Sequence, residues 1–238
     1  MSFADVKALT FDTGGTILDW HSGFRDALKT AGEAHGLERD WADIANQLRR
    51  QSLGKMVNLG EHELPTYNFD GAHRSTLDEL IETHGLQVFS EADRHAIAYT
   101  APHNFQCWPD FIRALPQLRE RFLCASFTIL SYRLIIDTAR RNGLHWDAVF
   151  SCEGIGKYKM LPEAYETVAR HLQLEPGEIG MVACHHIDLD AAARVGFRTA
   201  YVRRPNEWGP VDPPDIPATM SRDIEVDTFT ELVTVLRE

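Results

Sequence analysis

The chain has 238 residues, between one and two domains at the usual ~150 residues each, which is enough for a substantial core. It carries 24 Lys and Arg against 35 Asp and Glu, a formal net charge of -11, so neither a nucleic-acid binder nor a protein held on anionic lipid fits. At 44% hydrophobic and 25% charged the composition is that of a globular protein, and a small anionic ligand would need a locally positive pocket against this background.

In chain order, a short apolar run over residues 6–11 reads as a buried strand. Residues 24–35, 41–53, 72–84 and 92–99 then read as helices, with no convincing strand among them. Four more buried strands are expected at 122–128, 148–152, 179–184 and 199–202, separated by segments of helical length. Leu134, Ile135, Thr138 and Ala139 recur at helical spacing, as do Tyr165, Val168, Ala169 and Leu172, and Gly143 and Gly196 stand where helices should stop. Strand and helix in alternation predict an α/β fold with a Rossmann-like parallel sheet, covered on both faces. The helical run inserted after strand one predicts a second, smaller domain. The proline-rich stretch 205–217 reads as a loop.

Cys107, Cys124, Cys152 and Cys184 match no zinc spacing and no disulfide scaffold, and three of them lie in apolar runs. Buried free thiols in a reducing compartment, the cytoplasm, are expected. The N-terminus carries no signal-like segment, and the longest mostly apolar run falls far short of the ~20 residues of a membrane span.

Ligands of open α/β sheets bind at the carboxyl ends of the strands, so the polar residues there are the candidates. Strand one runs into Asp12-Thr13-Gly14-Gly15-Thr16, a carboxylate followed by glycines that permit a tight turn. Such an Asp is a nucleophile, a ligand or a turn residue satisfying local amides. Asp-Thr-Gly also matches the aspartic-protease dyad, but that needs a mostly β chain and a second copy. Strand two ends at Thr128, strand three is followed by Gly156-Lys157-Tyr158-Lys159, and strand four runs into Cys184-His185-His186-Ile187-Asp188. Singly these are a capping hydroxyl, solvated lysines and first-turn aspartates. Together they place Asp, Thr, Lys and Asp at successive strand ends.

These residues resemble the haloacid dehalogenase-like hydrolases, and within them the 2-haloacid dehalogenase branch. Residues 11–16 look like the nucleophile motif, Thr128 like the second-motif hydroxyl, Lys159 like the third-motif lysine and Asp188 like the last-motif acid. The stretches 143–147 and 204–210 also resemble that branch. The resemblance implies an α/β core from residues 1–18 and 106–238, with 19–105 as a helical cap. Phosphatases of the superfamily use an Asp two positions after the nucleophile and further acids to hold Mg²⁺; here these positions are Gly14 and Cys184, which leaves a thin oxygen cage. Without the ion, carboxylates would repel a phosphoryl dianion, so metal-free carbon–halogen chemistry is favoured and no cofactor is expected.

The implied reaction is hydrolysis of a short 2-haloacid, a small anionic partner, to the 2-hydroxyacid through an aspartyl ester on Asp12. Lys159 would keep Asp12 ionised, Asp188 would orient Lys159 or help activate water, and Thr128 with the amides of Thr13 and Gly14 would hold the substrate carboxylate or oxyanion. Arg49, with Arg50 as its rival, would meet the leaving halide. His185 would serve as a neutral general base, its neighbour His186 pointing away. The family pattern has an aromatic residue, an Asn and a Pro where Gly14, Ile129 and Met160 stand. The alternatives are a phosphate or phosphonate ester hydrolase of the same superfamily, or a catalytically silent binding protein that keeps the fold. An exposed apolar face on a cap helix would support a homodimer.

Overall fold

The structure is a computed structural model that describes residues 3–57, 68–211, 214 and 217–237. Residues 58–67 of the expected cap, and 212, 213, 215 and 216 of the expected proline-rich loop, lie outside the described residues.

Six parallel strands form one sheet in the order β3-β2-β1-β4-β5-β6. β1 (Ala8–Phe11) is buried at every position, as a central strand covered on both faces must be. It pairs with β2 (Leu123–Thr128) on one side and β4 (Ile179–Ala183) on the other, with Phe11 opposite Ser126 and Val182. β3 (Ala148–Ser151) extends one edge. β5 (Arg198–Val202) and β6 (Ile224–Val226) extend the other. The register brings Asp12, Thr128 and Cys184 to a common carboxyl edge. On one face the Phe11 ring lies 5.5, 5.7 and 6.1 Å from those of Phe111, Trp146 and Phe229, contacts worth ~0.5–1.5 kcal/mol each beyond buried area, which fix the strand whose tip carries Asp12. On the other face Phe127, Tyr165, Met181 and Phe197 pack together.

The expected parallel α/β fold is therefore present, which excludes the aspartic-protease reading. β6, three residues long, was not expected, and Cys152 opens a short helix rather than closing a strand. Between β1 and β2 the described chain is helical: α1 (Trp20–Ala34), α2 (Trp41–Met56), α3 (Phe69–His84) and α4 (Glu91–His95), with α4 continuing through a wider turn at Ala96–Thr100. Asp19, Asp40 and Asn68 accept from the first-turn amides of Ser22, Asp43 and Gly71, supplying the polar cap each helix start requires. The outgoing and returning chains run side by side, Asp19 N donating to Gln106 O (2.8 Å) and Trp108 N to Ile17 O (2.9 Å).

The core continues with α5 (Pro109–Arg119), α6 (Tyr132–Asn142), α7 (Cys152–Ile155), α8 (Pro162–Leu172), α9 (His186–Val195) and α10 (Phe229–Val235). Gly143 and Gly196 close α6 and α9 in the left-handed conformation, as anticipated. A buried imidazole ties the helical segment to the core. His103 meets Asp137 of α6 through Nδ1 (2.8 Å) and Asp70 of α3 through Nε2 (3.2 Å), while Ser131 Oγ donates to Asp70 (2.9 Å). The two carboxylates outweigh burial and raise the His103 pKa.

Cys107, Cys124 and Cys152 are buried free thiols, pushed up to about 12 by burial, while Cys184 is only partly buried. Among the described residues no helix is long and apolar enough to cross a membrane. The exposed large apolar side chains of the described helical segment, Val88 and Tyr99, do not share a helix face.

Candidate functional site

Asp12 follows the tip of β1 and its amide still donates to Val182 O, so the strand ladder aims the carboxylate out of the sheet edge. The loop beyond it is pinned from outside. Trp108 Nε1 donates to Gly15 O (2.8 Å) and Arg204 Nε to Thr16 O (2.9 Å), with Arg204 itself held by both oxygens of Asp110. Gly15 has φ +94°, and a Cβ there would strike the Glu207 carboxylate. Gly14 is needed for a different reason, since a Cβ on it would lie 2.8 Å from Arg49 Nη2. The aromatic residue of the family pattern has no room here while Arg49 keeps this position.

Three groups converge on Asp12. Lys159 Nζ donates to Oδ1 (2.9 Å), while Oδ2 accepts from Thr16 Oγ1 (2.6 Å) and His185 Nδ1 (3.0 Å). Burial opposes charge on Asp12, but Lys159, His185 and Thr16 outweigh it and hold the carboxyl well below the usual range. Lys159 also lies 2.5 Å from Asp188 Oδ2, and Asp188 Oδ1 accepts from Tyr165 OH (2.6 Å). The ammonium is thus wedged between two buried carboxylates, which raise its pKa against the effect of burial. Burial, with Asp12 nearby, raises Asp188 despite its contact with Lys159. The structure places Lys159, not Lys157, at Asp12. The next residue, Met160, has φ +75° and donates its N–H to Tyr165 OH (3.2 Å). A proline could adopt neither that angle nor that bond, so the family proline does not fit this turn.

His185 departs from expectation. Its Nδ1 faces Asp12, and its Nε2 faces Glu207 at 3.0 and 3.2 Å. Burial disfavours the cation, but the Cys184 sulfur, Glu207 and Asp12 raise His185 well above its ordinary pKa. A carboxylate at each ring nitrogen favours the imidazolium over the neutral form that the sequence suggested. His186 stacks on Tyr201 with ring centroids 4.4 Å apart, and both border the same cavity as His185.

Glu207 was not identified from the sequence. It is 3% exposed, accepts from Trp20 Nε1 (3.0 Å) and is kept ionised by His185 and Arg49 against burial. Thr16, which orients Asp12, carried no separate role either.

Arg49 is 4% exposed, with its guanidinium 5.4 Å from the Trp20 ring centre and 5.8 Å from that of Phe69. Nη2 donates to Gly14 O (3.3 Å), and no carboxylate among the described residues lies within ion-pair distance. Arg50 is exposed and sits over Trp208. Arg49, Asp12, Lys159, Thr128, His185 and Glu207 all line one cavity of about 730 Å³, whose other walls include Leu53, Ile129, Met160, Ile187 and Trp208. Thr13 contributes differently: its hydroxyl is buried in a 2.6 Å hydrogen bond with Thr128 Oγ1, so only its backbone is available to a ligand.

The donor set does not suit the Mg²⁺ of the family's phosphatases. A hard octahedral ion needs carboxylate oxygens with freedom to turn toward it. Here the Lys159 ammonium occupies the space between Asp12 and Asp188, Gly14 offers no side chain, and Cys184 presents a sulfur.

A family model described as a haloacid dehalogenase-like hydrolase matches residues 6–196. Among solved structures, an L-2-haloacid dehalogenase is 28% identical, with 98% of this chain and 99% of its own covered at a TM-score of 0.87. A defluorinating L-2-haloacid dehalogenase is 31% identical, with coverage of 98% and 96% and a TM-score of 0.88. The fold is also that of L-2-haloacid dehalogenase from Xanthobacter autotrophicus with chloropropionic acid covalently bound, at 20% identity, 98% coverage of each chain and a TM-score of 0.79. No curated protein sequence matches the chain.

Proposed function

Because the chain belongs to the haloacid dehalogenase-like hydrolase family, we propose that it removes halide from short 2-haloacids through an ester on Asp12, without a metal ion. The observation that carries this reading is Gly14, bare of a side chain beneath the Arg49 guanidinium where the family's phosphatases carry an acid, with the Cys184 sulfur at a second such position. Residues 19–105 act as the cap that brings Arg49 over the nucleophile.

Asp12 Oδ2 already accepts two hydrogen bonds and Oδ1 one, so Oδ1 is the oxygen with a lone pair to give. It attacks C2 of the substrate. The C–O bond forms as the C–halogen bond breaks, and halide leaves with the electron pair toward Arg49. The substrate carboxylate is held by the Thr128 hydroxyl and the amides of Thr13 and Gly14. Oδ2 is then the ester carbonyl oxygen, and Thr16 Oγ1 and His185 Nδ1, already on it, polarise it for attack by water at Cγ. Once Asp12 is esterified its charge is gone, and His185 keeps only Glu207 as a carboxylate partner. That lowers its hold on the Nε2 proton, which passes to solvent by way of Glu207; the freed Nε2 then takes one proton from the attacking water, and the water's other proton passes to Oδ1 as it leaves. The Cγ–Oδ1 bond breaks, the 2-hydroxyacid leaves with Asp12's original oxygen, and one proton is released per halide. Asp188 is a positioning residue, holding Lys159.

Two of the similar structures bear on the test: one protein is described as defluorinating and another carries covalently bound chloropropionic acid. Halide release is measured over 2-chloro-, 2-bromo- and 2-fluoroacids with EDTA, beside a phosphate and phosphonate ester panel with Mg²⁺. Release that survives EDTA supports the reading. Turnover only on the esters with Mg²⁺ favours the other hydrolase, and none on any substrate favours the silent fold. Single turnover in ¹⁸O water should label Asp12, and an unlabelled Asp12 after halide release refutes the ester.

A further inference from the structure

We infer that Cys184, His185 and Glu207 form a binding site for a borderline divalent cation, Zn²⁺ by chemistry, beside the nucleophile. Their ligand atoms lie close together: Sγ is 3.5 Å from His185 Nε2 and 3.6 Å from Glu207 Oε2, and Nε2 is 3.2 Å from Oε2. A tetrahedral zinc with Zn–S ~2.3 Å and Zn–N or Zn–O ~2.0–2.1 Å requires S···N and S···O separations of ~3.5 Å and N···O of ~3.3 Å. The three donors already stand on one face of such a tetrahedron. All three line the cavity, which supplies a route in and room for water as fourth ligand.

The surrounding contacts are those a metal-binding histidine and carboxylate use. A metal-bound imidazole donates its other N–H to a carboxylate, and His185 Nδ1 sits 3.0 Å from Asp12 Oδ2. Glu207 Oε1 is fixed by Trp20 Nε1, which leaves Oε2 for the ion. A sulfur, an imidazole and one carboxylate suit Zn²⁺ and not Mg²⁺. Arg49 nearby does not oppose the ion on balance. Zn²⁺ binds a thiolate and a carboxylate, so its two positive charges are matched within the cluster. The cysteine spacing could not reveal this site, because Glu207 arrives from a separate loop, 22 residues after His185.

An ion on Nε2 occupies His185 and Glu207 together and stands at the cavity wall, so it blocks turnover. This inhibition rests on the dehalogenase reading; the binding does not. The full chain is titrated with CoCl₂ as spectroscopic probe and then with ZnCl₂. One cobalt per chain with an intense thiolate-to-cobalt band is expected, displaced by zinc, with halide release falling in step and returning on EDTA. Cys184→Ser should lose the band and weaken binding by about 10- to 100-fold or more, and its halide release, measured against its own rate in EDTA, should resist zinc concentrations that stop the wild type. If that variant does not fold, wild-type alkylation by iodoacetamide decides: zinc should protect Cys184. A band that persists in Cys184→Ser, no band in the wild type, or no protection overturns the site. Binding without inhibition overturns only its effect on turnover, and binding to a protein inactive on every haloacid overturns only the dehalogenase reading.

Discussion

Lys159→Met tests the central ion triad. Methionine matches the length of the lysine stem but leaves Asp12 and Asp188, 8% and 2% exposed, facing each other without the ammonium that sits 2.9 and 2.5 Å from their oxygens. Removing one partner of a buried ion pair typically costs ~3–5 kcal/mol. A second route to the magnitude is that the variant relieves itself by protonating one carboxyl. Asp188 is the one, because Asp12 retains His185. Holding a proton at pH 7 on a group that ionises near ~3.9 when unfolded costs about three pH units at ~1.4 kcal/mol each, or about 4 kcal/mol, consistent with the first figure. The sign follows: the folded variant binds a proton that its unfolded chain releases, so its deficit relative to wild type shrinks as pH falls, by ~1.4 kcal/mol per unit, to about 1.5 kcal/mol at pH 5. Urea unfolding of both proteins from pH 5 to 8 measures it. A deficit that does not vary with pH, or one under about 1 kcal/mol at pH 7, would show that the two carboxylates do not both depend on Lys159.

Gly15→Ala should destabilise the chain by about 1–3 kcal/mol, since φ +94° is foreign to alanine and its methyl would displace Glu207; urea midpoints check this. Arg49→Lys keeps the charge but loses the planar fork between Trp20 and Phe69, so kcat/KM for halide release should fall about tenfold to a hundredfold with little change in unfolding. His103→Gln should expose a pH-dependent clamp. The raised His103 pKa makes its contribution full below about 6.5 and lost as pH rises through the folded value, while the lowered Asp70 and Asp137 lose theirs as pH falls below about 3.9. The wild-type advantage should therefore be greatest between about pH 4 and 6.5; an advantage that grows above pH 7 would contradict the ion-paired imidazolium.

The strand tips were legible because buried parallel strands are short apolar runs that end abruptly in polar residues, so Asp12, Thr128 and the segment after Cys184 could be located by composition alone. Spacing could not choose Lys159 over Lys157, since both lie in an irregular turn flanked by Gly156 and Met160 at positive φ, where no periodicity reports which side chain faces Asp12. Arg49 and Arg50 could have been separated. Ala45, Arg49, Ser52 and Met56 form one buried stripe at helical spacing along α2, which turns Arg49 inward and Arg50 out. Glu207 gave no such signal: it lies in an irregular loop after β5, where no periodicity reports which side chain is buried. The surroundings of His185 were illegible for the same reason, because its two carboxylate partners, Asp12 and Glu207, lie far away in sequence.

For the proposed small anionic substrate, a chain of net charge -11 offers a local site through the pairing of its charges. Asp12, Asp188 and Glu207 face Lys159, His185 and Arg49, three against three, and Arg49 alone has no carboxylate at ion-pair distance among the described residues. Two cations on a nucleophile lower its energy before reaction and so oppose attack. Each of them, however, has a second carboxylate: Asp188 at 2.5 Å for Lys159 and Glu207 at 3.0 Å for His185. In the proposed reaction, as charge passes from Asp12 to the halide, neither is left unpaired, and the halide arrives beside Arg49. Removing a second partner should then slow the attack itself. In Glu207→Gln, His185 depends on Asp12 alone, and losing one charged hydrogen bond, ~1.5–3 kcal/mol, predicts a single-turnover halide burst slower by about 10- to 150-fold, with Asp12 still ionised. A burst at the wild-type rate, with only the later ester hydrolysis slowed, would confine Glu207 to the water step and refute the shared-charge account.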